Sequence, residues 1–193
     1  MKIGQAFGHP ARSYARDAIR TVLLDAEQIQ AKLREIGEAI SRDYEGLDPL
    51  LVAVLRGGAM AMADLLRAIS IPVLVDFIAV SSYGPASRAT GAVRFVKDLD
   101  ISVEGRHVIL VEDMLDTGLT LNYILRVLRS RRPASLEVAA LFDKPARRLA
   151  NIHPRYRGFE LPDEFVVGYG LDLDERYRNL PFLCVLKPEY YGR

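Results

Sequence analysis

Three carboxylates stand close together in mid-chain, Glu112, Asp113 and Asp116, and Thr117, Gly118, Leu119 and Thr120 follow at once. Four apolar residues, Val108 to Val111, lead into them and read as a short strand buried on both faces. Beyond them Leu121, Ile124, Leu125 and Leu128 recur at helical spacing. A strand, a hydroxyl–glycine turn and a helix start together suit a phosphate. Backbone N–H groups at the helix start and the threonine hydroxyls both donate to the anion. The acids would then lie where open α/β sheets bind ligands, at the carboxyl ends of strands.

The acids also narrow the kind of phosphate. A P-loop needs a lysine in GxxxxGK[ST], and this loop has none. Carboxylates beside a phosphate repel it unless they face hydroxyls or a metal, so a phosphorylated sugar with Mg²⁺ is the expected ligand. Each acid taken singly has an ordinary reading: Asp116 as a helix N-cap, Glu112 and Asp113 as solvated loop acids. The whole run over residues 108–121 is much harder to explain that way.

That run, VILVEDMLDTGLTL, closely resembles the 5-phosphoribosyl-1-pyrophosphate (PRPP) motif of purine phosphoribosyltransferases, in detail that of the hypoxanthine–guanine members. The resemblance extends over roughly residues 25–187. It implies that Glu112 and Asp113 hold the ribose hydroxyls and Mg²⁺. Asp116 would be the general base for purine N7–H, and residues 116–120 would hold the ribose phosphate. One departure is Leu119, which stands where some members carry a lysine, so the phosphate would rely on backbone and threonine donors.

Other stretches carry the likeness further. Leu55-Arg56-Gly57 matches a loop that contacts pyrophosphate through backbone N–H groups and contains a non-proline cis peptide. On local sequence alone, a tight strand-to-helix turn explains Gly57 and Gly58 equally well. Ser82 and Tyr83 resemble a flexible loop that closes over the reacting centre. Lys144, at the end of a strand, matches a lysine that donates to the purine 6-oxo group; on its own it reads as an ordinary exposed lysine. The segment 165–181 resembles a purine-binding hood. In it Phe165 would stack on the base, Val166 would meet its edge through backbone, Asp172 would bind a second Mg²⁺ through water, and Arg178 would meet pyrophosphate. Taken singly, Phe165 and Val166 read as core and Asp172 as a turn acid.

The elements that must position these residues are legible around them. Asp25 with Gln28 forms a capping-box pattern, and Ile29, Leu33, Ile36 and Ile40 follow at helical spacing, with Gly46 as a stop. Strands are expected over residues 50–55, 73–80, 94–96, 108–111 and 136–142, with helices after the second glycine of the 56–58 loop and after Gly118. Residues 15–24 are expected to be helical. A polar stretch rich in Gly, Ser and Ala runs from Ser81 to Gly91, long enough inside a compact domain to be mobile or functional. The fold expected is α/β: a twisted, mainly parallel sheet flanked by helices, as in type I phosphoribosyltransferases. A small hood would come mainly from residues 146–193 and part of the N-terminus. Residues 1–24 form an N-terminal extension with no recognised counterpart, and residues 25–193 a single domain.

Composition sets the outer bounds. With 193 residues, half of them hydrophobic, the chain can bury a substantial core. A formal charge of +1 provides no global field for nucleic acid or membrane. Arg126, Arg129, Arg131 and Arg132 cluster, but basic residues in a last helical turn complement the helix dipole. One cysteine rules out an internal disulfide and fits a reducing compartment, and Cys184 lies in an apolar run that reads as a buried strand. His9, His107 and His153 lack metal-ligand spacing. No apolar run approaches the ~18 residues of a membrane span, and no secretory signal is read at the N-terminus. A cytoplasmic protein is expected. By the resemblance, it is a homodimer or homotetramer acting on PRPP and a 6-oxopurine. Two other readings stay open: a xanthine-preferring enzyme of the same fold, and a PRPP-sensing regulator that binds nucleic acid.

Overall fold

The computed structural model describes residues 17–82 and 93–191. Its main sheet has six strands: β2 (Leu50–Leu55), β3 (Leu74–Ser82), β4 (Val93–Lys97), β5 (His107–Leu115), β6 (Ser135–Asp143) and β7 (Tyr156–Glu160). They lie in the order β4-β3-β2-β5-β6-β7. Every pairing is parallel except that of β3 with β4. Among the described residues three α-helices accompany the sheet: α1 (Ala26–Asp43), α2 (Gly58–Ala68) and α3 (Leu119–Ser130).

Alternation along β5 shows how the sheet is sandwiched. Ile109 and Val111 join one core with Ile29, Leu33, Ile36 and Ile40 of α1 and Met62 and Leu65 of α2. Val108 and Leu110 join the other core with Leu121, Ile124, Leu125 and Leu128 of α3. Successive strand side chains point to opposite faces, so a strand apolar throughout needs cover on both. The helical positions expected from sequence are thus the buried ones. Asp25 and Gln28 form the reciprocal cap of α1, each side chain accepting from the other's backbone N–H.

A second, three-stranded sheet makes the hood: β1 (Ile19–Leu24), β9 (Leu183–Leu186) and β8 (Val166–Val167), in the order β1-β9-β8, all antiparallel. It has its own core, with Ile19, Val167, Phe182, Cys184 and Leu186. The hood therefore draws on both ends of the chain. The helix expected over residues 15–24 is not found where the structure describes that stretch, because Ile19–Leu24 is a strand. Its sequence, IRTVLL, is rich in β-branched residues and finds a partner in β9 far along the chain, so tertiary pairing decides. β7, an edge strand of the main sheet, was also not foreseen.

The order of the main sheet fixes where a ligand goes. From β2 the chain moves outward to β3 on one side, and from β5 it moves outward to β6 on the other. The crevice at the carboxyl ends of β2 and β5 is thus a topological switch point, the usual ligand site of an open α/β sheet. Among the described residues, no helix is long and apolar enough to cross a membrane.

Candidate active site

Two of the expected loops meet at the switch point. β2 and β5 run in parallel with Ala53 opposite Val111. Leu55 and Arg56 therefore leave the sheet beside Glu112 and Asp113, and the Leu55–Arg56 peptide is cis. The acids belong to β5 itself, which continues to Leu115, rather than to a solvated loop. Glu112 Oε2 is buried and has no hydrogen-bond partner among the described residues. Burial, and secondarily the charge of Asp113, raise the Glu112 pKa well above the usual carboxylate range. Asp113 is raised as well, mainly by burial, although the Met114 backbone N–H donates to its Oδ1 at 2.8 Å.

The phosphate turn is open to an anion. Gly118 occupies the N-cap position of α3 with φ 77°, a left-handed conformation that favours glycine, and no side chain caps the helix. The N-cap reading of Asp116 therefore fails, because that residue lies two positions further back. Asp116 instead has Arg147 Nε 3.1 Å from its Oδ1. This is a charge contact without hydrogen-bond alignment, and it leaves that buried oxygen without a donor among the described residues. Thr117 Oγ1 accepts from the Leu119 N–H at the long distance of 3.5 Å, and the Thr117 carbonyl accepts from the N–H groups of Leu149 and Ala150.

Arg148 holds this corner together. Its Nε donates to the Asp116 carbonyl at 3.0 Å, Nη1 to Ile152 O at 2.9 Å, and Nη2 to Leu115 O at 3.1 Å. It also pairs with Asp143, which is 2% exposed. Neither Arg147 nor Arg148 was singled out in the sequence. Their only local signal is a basic pair soon after Asp143-Lys144-Pro145.

At the end of β6, Lys144 is not an ordinary exposed lysine. It is 5% exposed, and its Nζ donates to the Glu164 carbonyl at 2.5 Å. Burial lowers its pKa, against the charge of Asp116. Phe165 is 40% exposed, which overturns its single-residue reading as core, whereas Val166 is 5% exposed. The Phe165 ring stacks on Tyr191, with centroids 5.1 Å apart and planes inclined by 26°. Arg20 of β1 pairs with Glu164, so both chain ends brace this segment.

Further along the hood, Arg178 reaches back to the crevice. It donates to Gly170 O at 2.7 Å and pairs with Asp172 at 2.8 Å and with Glu175 at 3.1 Å. Its Nε is buried with no hydrogen-bond partner among the described residues. Arg56 pairs with the same Glu175 oxygen. Ser82 ends β3, whereas Tyr83 and the stretch after it lie outside the described residues.

The residues fit a divalent cation. A buried, unpartnered Glu112 oxygen beside Asp113 calls for hydroxyls or a cation. Among the described residues no group of three or more His, Cys, Asp or Glu could by itself hold one.

A switch-point crevice with carboxylates on one strand and an open helix N-terminus beyond them defines an α/β protein built to hold a phosphorylated sugar. Residues 20–174 match the phosphoribosyl transferase domain, and the chain belongs to that family. It is 48% identical over 190 residues to a hypoxanthine-guanine phosphoribosyltransferase of Mycobacterium tuberculosis, covering 95% of this chain and 94% of the relative. It is 47% identical over 173 residues to the enzyme of the same name from Bacillus subtilis, covering 90% and 96%. A crystal structure of a hypoxanthine phosphoribosyltransferase from Staphylococcus aureus superimposes with a TM-score of 0.91 at 45% identity, over 94% of this chain and 98% of that one.

Proposed function

We propose that this protein is a purine-salvage enzyme: it transfers the 5-phosphoribosyl group of PRPP to a 6-oxopurine, hypoxanthine or guanine, giving IMP or GMP and pyrophosphate. The observation that carries the choice of base is the buried Lys144 ammonium just past the carboxyl end of β6, beside the strand that carries Glu112 and Asp113. An ammonium donates to a carbonyl oxygen and disfavours the amino group that adenine presents there. The names of the relatives agree with this reading.

Breaking the C1–O bond builds positive charge on the ribose ring and negative charge on the departing pyrophosphate. Glu112 and Asp113 receive the ribose hydroxyls and hold negative charge near the developing cation. Asp116 accepts the N7 proton of the purine, and the backbone and hydroxyl donors of residues 117–120 hold the 5-phosphate. Arg56, the Gly57 N–H and Arg178 receive pyrophosphate. Phe165 stacks on the base and the Val166 backbone meets its edge. Ser82 and Tyr83 would keep water from the ribosyl cation. Glu112, Asp113 and, through water, Asp172 would hold Mg²⁺, which when bound neutralises charge on the pyrophosphate. The protein would work in the cytoplasm as a homodimer or homotetramer.

A Mg²⁺- and PRPP-dependent assay with hypoxanthine, guanine, xanthine and adenine tests the reading. Turnover with hypoxanthine or guanine and none with adenine is expected. In Asp116→Asn, kcat should fall by ~10²–10⁴ while PRPP binding holds; unchanged turnover would remove the base assignment. Preference for xanthine would move the protein to a neighbouring specificity. PRPP binding without turnover, together with salt-dependent nucleic-acid binding, would favour a regulator. The basic cluster favours catalysis over that reading, since Arg131 pairs with Asp98 and Arg132 with Glu104.

A further inference from the structure

Glu175 stands between the two arginines assigned above to pyrophosphate. Its Oε2 pairs with Arg56 and lies 3.1 Å from Arg178 Nη2. These cations come from opposite sides of the crevice, one from the loop after β2 and the other from the hood, and one carboxylate oxygen links them. Its pKa is lowered by the Arg178 hydrogen bond first and by Arg56 as well.

The backbone at Glu175 is a second, independent observation. Leu173 and Arg176 exchange backbone hydrogen bonds at 3.2 and 3.0 Å across a two-residue turn. The central residues Asp174 and Glu175 have φ 51° and 63°, the φ pattern of a type I′ hairpin turn. Asn-Gly is the easy sequence for that turn, and a long glutamate at its second central position is disfavoured. The Glu175 backbone N–H donates to Asp172 Oδ2 at 3.0 Å, which fixes the turn against the residue that also pairs with Arg178. A disfavoured residue kept in a fixed turn, with its carboxylate on two functional cations, points to a role for that carboxylate.

We propose that Glu175 is an internal stand-in for pyrophosphate, a carboxylate that competes with the ligand for Arg56 and Arg178 and so tunes how tightly pyrophosphate is held. This rests on the reading that the two arginines bind pyrophosphate. When the ligand enters, Glu175 gives up its contacts; when the ligand leaves, the carboxylate returns to both arginines, while Arg178 keeps its pairing with Asp172 throughout. Glu175 is thus a positioning residue that weakens product binding and speeds release. No bond to substrate is made or broken by it.

The test is pyrophosphate product inhibition, measured against PRPP for the wild-type enzyme, Glu175→Gln, Glu175→Gly and Arg178→Gln. Removing the charge should lower the inhibition constant for pyrophosphate by roughly 2- to 5-fold, the scale of one exposed ion pair. The KM for the purine should not move. Structural damage weakens binding, so a gain in affinity is a readout that damage does not imitate. Glu175→Gly relieves the turn and should show the same gain with no loss of thermal stability. An unchanged or raised constant in both Glu175 variants, with Arg178→Gln raising it, would overturn the role of Glu175 alone. An unchanged constant in Arg178→Gln would overturn the pyrophosphate reading beneath it.

Discussion

Asp113 Oδ2 fills the space that a side chain at residue 57 would need: a Cβ built on Gly57 falls 1.6 Å from it. A Cβ on Gly170 would in turn fall 2.5 Å from the Gly57 carbonyl oxygen. The carboxylate, the loop after β2 and the hood are therefore stacked through two glycines, with no side chain between them. Gly57 has ordinary helical angles, φ −58° and ψ −44°, so its demand is for space rather than for an unusual backbone.

Gly57→Ala should consequently act through displacement. The methyl must push Asp113 or the loop aside, at a cost of about 1–3 kcal/mol for overpacking a tight contact. Catalysis should suffer more, because a displacement near 1 Å at a reacting centre is worth ~10²-fold. We expect kcat/KM for PRPP to fall by roughly that factor while the melting temperature drops by only a few degrees. An alanine variant with near-normal kcat/KM would show that the loop has slack.

Lys144 gives a pH signature. Burial lowers its pKa below the ordinary value of 10.5, so the folded protein loses that proton at a lower pH than the unfolded chain does. Between those two values the unfolded state binds more protons, and stability rises with pH across that window. In Lys144→Met the rise contributed by this group should vanish, which thermal melts across the alkaline range would reveal. The same variant would lose the donor proposed for the 6-oxo group, so the KM for hypoxanthine should increase by about 10- to 100-fold. A wild-type and variant pair with parallel stability profiles would contradict the burial effect.

Much of this was legible because it is local. A buried strand, a hydroxyl–glycine turn and a 3.6-residue apolar period fix β5 and α3 within one stretch, and the capping box fixes the start of α1. The contacts that finish the site are different in kind. Arg56 and Glu175 are 119 residues apart, and Arg20 and Glu164 are 144 apart. No periodicity marks such pairs. β1 escaped for the same reason, since its partner β9 lies at the far end of the chain. Lys144 and Phe165 show that local type misleads about burial: the lysine is 5% exposed and the phenylalanine 40%.

Tyr191 should matter to the purine. It covers part of the Phe165 ring and itself packs on the hood core, while Phe165 keeps enough exposed surface to meet a base. An aromatic pair is worth about 0.5–1.5 kcal/mol beyond the area it buries. Tyr191→Ala should therefore raise the KM for hypoxanthine by roughly 2- to 10-fold and leave the KM for PRPP in place, and Tyr191→Phe should restore it. A lower purine KM in Tyr191→Ala would mean that the tyrosine occupies the face meant for the base.

Arg148 is the residue on which the Asp116 corner depends. It ties the carbonyls of Leu115 and Asp116, at the end of β5, to Ile152 O and to the nearly inaccessible Asp143. Arg157 also lies near Asp143, at 3.7 Å, but it is half exposed and cannot replace the lost hydrogen bonds. Truncating one partner of such a pair strands the other charge, at a typical cost of about 3–5 kcal/mol. Arg148→Met should therefore lower the melting temperature by about 10 °C or more. Asp143→Asn should cost less, since an amide still accepts from Arg148. If Arg148→Met melts like the wild type but turns over slowly, the arginine orients Asp116 without stabilising the fold. If stability and kcat fall together, one contact does both, because the carbonyl it holds belongs to the residue proposed to take the proton.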